Sequence, residues 1–127
     1  MTETTEGPDG ELTLRTLAMP ADTNVSGDIF GGWVLSQMDI AAGIVAGEKA
    51  QGRVATIAVD AMKFIRPVKV GDVLCVYCQI TRVGRSSMAI DVEAWVRRER
   101  IGGREKVTEA IFTFVAIDAE GKPREVS

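Results

Sequence analysis

The sequence predicts an α+β domain in which an antiparallel five-stranded sheet wraps around one long central helix. Residues 28–46 carry small or apolar side chains on nearly every side of a helix, five other stretches are rich in β-forming residues, and short turns join the later strands. A parallel crossover needs about a dozen residues or more, so strands joined by short turns are expected to pair antiparallel. A helix that is apolar on nearly every side must be covered by protein, which here means the sheet.

The first strand follows a polar N-terminal stretch. Residues 1–10 have no apolar periodicity, and we expect them to form a disordered tail. Residues 12–17 alternate apolar and polar side chains, which predicts a short strand that Pro20 ends.

The long helix is predicted to begin between residues 28 and 30 and to be the only helix of the chain. The loop before it carries four residues whose side chains commonly accept hydrogen bonds from the free N–H groups of a helix start: Asp22, Asn24, Ser26 and Asp28. The helix is predicted to end within 47–52, where Glu48, Lys49 and Gln51 are polar and Gly52 is typical of a helix end.

Four long strands are predicted after the helix, over residues 53–64, 73–83, 88–97 and 107–117. Glycine and proline mark the turns between them, at Pro67, Gly71, Gly84 and Gly102-Gly103. The clearest alternation places only apolar side chains on one face of the third of these strands: Met88, Ile90, Val92, Ala94 and Val96. The elements form a single domain over residues 11–123, with a short tail at 124–127.

The composition restricts the classes of function. The 127 residues suffice for one domain with a real core, and 46% hydrophobic and 26% charged residues are ordinary values. The net charge is −3 with acidic and basic residues interleaved, which argues against nucleic acid as a partner. No apolar run approaches the ~20 residues that span a bilayer, and the polar N-terminus is unlike a signal peptide. We therefore expect a cytoplasmic protein that does not bind membranes.

Two cysteines form a C-x-x-C motif. Cys75 and Cys78 lie in a predicted strand, where residues three apart point to opposite faces and their sulfur atoms cannot converge. We expect them to be small packing residues rather than a redox or zinc site. No metal site is predicted.

One acidic residue lies within the apolar helix. Asp39 lies between Met38 and Ile40, and its neighbours on the same face are mostly small: Leu35, Ser36, Ala42 and Gly43. Burial of a carboxylate costs several kcal/mol unless it is paired, so a buried Asp39 needs a functional reason. The alternative is an aspartate that points to solvent or caps a loop.

Taken together, the loop at 22–28, the Gly31-Gly32 pair and the helix aspartate Asp39 resemble the hotdog-fold acyl-CoA thioesterases, in particular the small bacterial single-hotdog branch called YciA. The similar segments cover the chain from about residue 12 to 123. They are Met-Pro-Ala-Asp-Thr-Asn at 19–24, Gly-Asp-Ile-Phe-Gly-Gly-Trp at 27–33, Gln-Met-Asp at 37–39, Gly-Arg-Val-Ala-Thr at 52–56, Phe-Ile-Arg-Pro-Val-Lys-Val-Gly-Asp at 64–72, Gly-Arg-Ser-Ser at 84–87 and Thr-Glu-Ala at 108–110.

The resemblance implies an enzyme that hydrolyses acyl-CoA thioesters to a free carboxylic acid and coenzyme A. It implies no cofactor, since coenzyme A is part of the substrate and product. It also implies that Asp39 is the catalytic carboxylate and that Asn24 meets the aspartate of a different hotdog unit. The implied site lies across a homodimer interface, and three dimers form a hexamer in related proteins.

The chain contains no histidine, which excludes every catalytic scheme that depends on one. Asp39 is expected to act either as a general base on water or as a nucleophile that forms an anhydride. The first backbone N–H groups of the helix, at Gly31 and Gly32, are the expected oxyanion donors. Tight packing of helix against sheet is the alternative reason for these two glycines, and both reasons can hold.

Other residues are expected around the substrate. Asn24 is expected to orient the water or the thioester, with a loop-capping role as the alternative, and Thr56 to line the cleft unless it is simply a strand residue. The phosphates of coenzyme A favour arginine and hydroxyl contacts, for which the candidates are Arg85, Ser86 and Ser87, followed by Arg53 and Arg66.

Two other classes of function remain open at this stage. A non-catalytic acyl-CoA-binding or sensing protein would keep the pocket without turnover. A purely structural oligomer would have no affinity for coenzyme A.

Overall fold

The computed structural model describes residues 7–97 and 103–127. The elements are strand β1 (Glu11–Leu17), a 3-10 turn (Pro20–Asp22), helix α1 (Gly31–Ala50), and strands β2 (Val54–Phe64), β3 (Val73–Val83), β4 (Ser87–Arg97) and β5 (Arg104–Ala116). The strands form one sheet in the order β1-β3-β4-β5-β2, and all neighbours are antiparallel. The predicted α+β fold with a five-stranded antiparallel sheet is confirmed. The turn predicted at Gly102-Gly103 begins at a residue outside the described ranges. Residues 1–6 of the predicted tail also lie outside them.

The core lies between α1 and one face of the sheet. The five apolar residues predicted to share one face of β4, Met88, Ile90, Val92, Ala94 and Val96, are all at most 1% exposed. On the neighbouring strand Phe112 and Phe114 are also buried, with ring centroids 6.5 Å apart. The other face of β4 carries the exposed Asp91 and Arg97. We call this second face of the sheet the outer face.

The sheet covers only one side of α1. The buried helix residues follow a spacing of three or four: Val34, Met38, Ala41, Ala42, Ala46 and Ala50. Ile40 and Ile44, on another side of the helix, are 51% and 47% exposed. The prediction that the helix is covered on nearly every side is therefore wrong for a single chain, because one curved sheet can contact only one side of a helix.

The start of α1 differs from the prediction. The N-cap residue is Phe30, which makes no side-chain cap hydrogen bond. The predicted caps have other partners: Asp22 Oδ2 accepts from the Met19 N–H at 3.1 Å, and Asp28 pairs with Lys69 Nζ at 2.6 Å. The polar side chains of the loop therefore bind other groups, and the first N–H groups of the helix remain free.

The C-terminal residues pack against the domain rather than forming the tail predicted at 124–127. Arg124 donates a hydrogen bond from Nη2 to the carbonyl of Ala50, the last residue of α1, at 2.8 Å. Val126 is 4% exposed, and its N–H donates to the carbonyl of Arg85 at 2.9 Å. A cation at the C-terminal end of a helix is favourable, which explains why the ordered chain continues past residue 123.

Both cysteines are buried and free, as packing residues of β3. Cys78 belongs to the core between helix and sheet, whereas Cys75 lies on the outer face, opposite Trp95 of β4. Burial raises the pKa of the Cys78 thiol, against a smaller lowering by a hydrogen bond with Thr13. Among the described residues no group of three or more His, Cys, Asp or Glu side chains could hold a metal ion.

Candidate active site

The site is built around a hydrogen bond between α1 and β2. Thr56 Oγ1 donates to Asp39 Oδ1 at 2.6 Å. Asp39 is half-buried and Thr56 is exposed, so the expectation of a buried carboxylate is wrong. The open side of α1 explains this, because none of the elements described here covers Asp39 from that side. We call Asp39 and Thr56 the acid half of the site.

A bulge in β2 lies next to this contact. The pairing of β2 with β5 shifts between Thr56 and Ala58, and the extra residue, Ile57, is 58% exposed. Bulges redirect the side chains beside them, and this bulge directly follows Thr56, the strand residue that contacts α1.

The contact leaves the carboxylate free to react. Oδ1 receives the Thr56 hydroxyl, and Oδ2 has no hydrogen-bond partner among residues 7–97 and 103–127. A carboxylate held at one oxygen is fixed in direction while the other oxygen can accept a proton from water or attack a carbonyl carbon.

The free N–H groups lie at the start of the helix. In the described part of the chain, the backbone N–H groups of Gly31 and Gly32 have no acceptor, while the Trp33 N–H donates to the Phe30 carbonyl at 3.1 Å. A Cβ atom on Gly31 would lie 3.0 Å from the ring of Phe64. Gly31 thus combines tight packing with a free donor, the two reasons that the sequence analysis left open.

An apolar cavity of about 350 Å³ opens beside the helix start. Its walls come from the loop before the helix, the first helical turn, the end of β2 and the loop that follows it, including Ile29, Gly31, Val34, Phe64 and Val68. The cavity could hold an apolar group close to the free N–H groups.

Asn24 lies in the loop before the helix. Its Oδ1 accepts from the backbone N–H groups of Ser26 at 2.9 Å and Asp28 at 3.1 Å, which is the loop-capping role considered from the sequence. Its Nδ2 has no acceptor among the described residues, so two donors remain available to a ligand. We call Asn24, Gly31 and Gly32 the amide half of the site.

The two halves do not meet within one chain. Gly32 and Asp39 are seven residues apart on α1, which corresponds to about 10 Å along the helix axis. The free N–H groups of a helix start also point out of its N-terminal end, away from Asp39. Asn24 makes no hydrogen bond with Asp39 in the part of the chain that the structure describes.

The predicted coenzyme A contacts of the turn at 84–87 have partners within the chain. The Arg85 side chain is 85% exposed and lies 3.4 Å from Glu125 Oε2. The Ser86 and Ser87 carbonyls shape the turn by accepting from the Ala116 and Gly84 N–H groups at 2.8 and 2.7 Å.

Two weaker candidates are bound to backbone instead. Arg53 Nη1 donates to the carbonyls of Asp118 and Ala119, both at 3.3 Å, and Arg66 Nη1 donates to the Lys106 carbonyl at 3.2 Å. Their guanidinium groups are therefore partly used in holding loops.

Two contacts of the site are not indicated by the sequence: the hydroxyl partner of Asp39 and the counter-charge of Arg85. Thr56 was considered only as a cleft residue or a plain strand residue, because no pattern fixes how β2 lies against α1. Glu125 was assigned to the tail. Glu125 lies near Arg85 because the next residue, Val126, packs against the domain. Val126 is an apolar residue in a polar segment, and this is the sequence signal for an ordered C-terminal segment.

No helix among the described residues is long and apolar enough to cross a membrane. A model of the thioesterase superfamily matches residues 26–102. The chain is 56% identical over 127 residues to the acyl-CoA thioester hydrolase YciA of Escherichia coli strain K12, covering 98% of this chain and 96% of that protein.

Solved structures of thioesterases are also similar to this chain. A hexameric thioesterase from Yersinia pestis is 57% identical with a TM-score of 0.90, covering 94% of this chain and 98% of its own. A hexameric hotdog fold thioesterase from Campylobacter jejuni is 40% identical with a TM-score of 0.87, covering 93% and 91%.

An acyl-CoA hydrolase from Staphylococcus aureus has been solved as an Asn→Ala mutant in complex with coenzyme A and as a Thr→Ala mutant. Both are 30% identical to this chain, with TM-scores of 0.83 and 0.81, and cover 88% of it and 67% and 69% of their own chains. Their two substituted residues are separated by the same number of positions as Asn24 and Thr56 here. This chain belongs to the thioesterase superfamily, because the family model matches more than half of the chain, the relatives named above are 30–57% identical to it, and the solved structures share its fold.

Proposed function

We propose that the protein is an acyl-CoA hydrolase that converts acyl-CoA thioesters to free carboxylic acids and coenzyme A. The observation that carries the chemistry is the hydrogen bond from Thr56 to Asp39, which fixes one carboxylate oxygen and leaves the other open. The substrate class is supported by the near full-length similarity to acyl-CoA thioester hydrolases.

Two routes fit an oriented carboxylate. As a general base, Asp39 takes a proton from a water molecule whose oxygen attacks the thioester carbonyl carbon; the C–S bond then breaks and the thiolate of coenzyme A takes up a proton. As a nucleophile, Asp39 attacks the same carbon, the thiolate leaves, and water hydrolyses the resulting anhydride. Positioned general bases contribute typically ~10²–10⁴ in rate.

The oxyanion formed on the carbonyl oxygen needs donors about 3 Å away. The amide half supplies them as the free N–H groups of Gly31 and Gly32 and the Nδ2 of Asn24. Because these donors point away from Asp39 of the same chain, we propose that each complete site takes its acid half from one subunit and its amide half from another.

The surface of the chain supports such an assembly. Strand β2 lies at the edge of the sheet and exposes Ile57 and Phe64, while α1 exposes Ile40 and Ile44. Val25, next to Asn24 at the tip of its loop, is fully exposed. An open edge strand with apolar side chains favours pairing with a second copy. A symmetric dimer would contain two such sites, and the hexameric relatives support a trimer of dimers.

Coenzyme A recognition is assigned to the turn that carries Arg85, Ser86 and Ser87. This turn lies at the end of the sheet that also holds Thr56, since Thr56 pairs with Phe114 and Ser87 pairs with the next residue, Val115. We assign no cofactor to the reaction, and the expected cytoplasmic location is part of the proposal.

The first experiment measures thiol release from a panel of acyl-CoA substrates. Asp39→Asn keeps the shape of the side chain and is expected to lower kcat by about 10²–10⁴, whereas Asp91→Asn on the outer face is a matched control that leaves kcat unchanged. A fully active Asp39→Asn variant would refute the role of this carboxylate. Thermal stabilisation by coenzyme A without thiol release from any substrate would instead indicate a non-catalytic acyl-CoA-binding protein.

The second experiment tests the division of the site. Asp39→Asn and Asn24→Ala subunits with different tags are co-expressed, and the mixed dimers are purified through both tags. In a shared arrangement one of the two sites pairs an intact Asp39 with an intact Asn24, so the mixed dimer should recover about half of the wild-type rate. Mixed dimers as inactive as the parent variants would show that each subunit holds its own complete site.

A further inference from the structure

Three arginines meet at one end of the outer face of the sheet. Arg15 of β1, Arg97 of β4 and Arg104 of β5 line a cavity of about 280 Å³ together with Tyr77 of β3 and Gly103. All three arginines are exposed, and Tyr77 is half-buried. The cavity thus has a cationic rim on three strands and an aromatic side chain in its wall.

Within residues 7–97 and 103–127, these positive charges have no counter-charge of the kind seen elsewhere on the same face. Arg97 lies directly opposite Arg104 in the register of β4 and β5. Neither they nor Arg15 form an ion pair or a side-chain hydrogen bond within the described ranges. Two acids further along the outer face have other partners: Glu93 and Glu109 both pair with Lys106, and Glu93 also accepts from Trp95 Nε1.

A directly opposed pair of like charges destabilises a sheet, and a bound anion would offset the repulsion between Arg97 and Arg104. We propose that the cavity is a binding site for a polyphosphate group, as found in inorganic polyphosphates and nucleoside triphosphates. Guanidinium groups bind phosphate oxygens through paired, charge-assisted hydrogen bonds, and three of them around one cavity match a chain of phosphates better than a single anion.

The site is separate from the acid half of the active site. Arg97 follows the inward-facing Val96 on β4 and so points away from α1, which carries Asp39 on the other side of the sheet. The proposal therefore does not depend on the hydrolase assignment, and binding is measured without any acyl-CoA.

The experiment titrates the full-length protein with tripolyphosphate and, in a second arm, with ATP, by calorimetry at low and high salt. Arg97→Gln is expected to weaken tripolyphosphate binding about tenfold, since it removes one charge-assisted contact. Arg82→Gln, which removes one exposed arginine of β3 outside the cavity, is the matched control and should bind like the wild type. Binding of ATP tighter than tripolyphosphate, with the difference lost in Tyr77→Leu, would identify a nucleotide as the ligand; equal binding would identify the phosphate chain alone.

The proposal fails if the wild type does not bind tripolyphosphate at low salt, or if Arg97→Gln and Arg82→Gln weaken binding equally. Thermal melts separate loss of binding from loss of folding. Because Arg97→Gln relieves repulsion with Arg104, its melting temperature without ligand should equal or exceed that of the wild type.

Discussion

Replacement of Thr56 by valine tests the contact on which the proposed mechanism rests. Valine keeps the β-branched shape that suits a strand but removes the hydroxyl that donates to Asp39 at 2.6 Å. A hydrogen bond to a charged group contributes about 1.5–3 kcal/mol, and the partial exposure of both residues argues for the lower end. A loss of about 1.5 kcal/mol in the transition state corresponds to a roughly tenfold lower kcat.

The assay is thiol release under steady-state conditions, with kcat and KM determined separately. If Thr56 only orients Asp39, kcat falls and KM changes little, because the interaction that is lost belongs to the chemical step. Thr56→Ser keeps a hydroxyl and should recover most of the rate, and Thr81→Val is a control on another exposed strand threonine. A Thr56→Val variant with wild-type kcat, measured beside an inactive Asp39→Asn variant, would refute the positioning role.

Three further predictions concern substrate binding, burial and assembly. Arg85→Gln should raise KM for acyl-CoA about threefold to tenfold with kcat unchanged, because it removes a phosphate contact; Arg82→Gln should leave KM unchanged. Burial raises the pKa of Cys78 above its ordinary value near 9.0, so the unfolded chain ionises this thiol first and wild-type stability should fall as the pH rises past that value. Cys78→Val should lose less stability over the same range in denaturant titrations. Ile44→Glu on the open side of α1 should produce a folded monomer without activity, whereas Val70→Glu in a loop should leave assembly and activity unchanged. Size-exclusion chromatography measures the assembly, and thiol release measures the activity.

The sequence determined most of the fold because its signals are local. Alternation and turn residues placed β3 at residues 73–83, as found, and β4 within one residue of its start at Ser87. The helix start was less well predicted. Polar residues in the loop before it look like caps, yet Asp28 reaches Lys69, a partner that only the folded chain brings near.

The site was harder to predict because it depends on contacts between elements. The sequence identifies Asp39 as an acid among apolar residues. It does not predict how exposed Asp39 is, because the exposure depends on which side of the helix the sheet covers. The hydrogen bond from Thr56 requires the edge strand β2 to pass close to α1 at the right register, and the bulge after Thr56 has no signature in the sequence.

The proposed division of the site between two subunits would account for several features that are unfavourable in a monomer. A lone chain would expose isoleucines on α1 and an apolar edge strand, and would leave unsatisfied donors at a helix start. Two copies with their helices side by side and antiparallel would cover the apolar surfaces and bring the amide half of each chain towards the acid half of the other. Under this proposal hydrolysis would be coupled to assembly, since a dissociated subunit would have an oriented carboxylate but no donors positioned to stabilise the oxyanion.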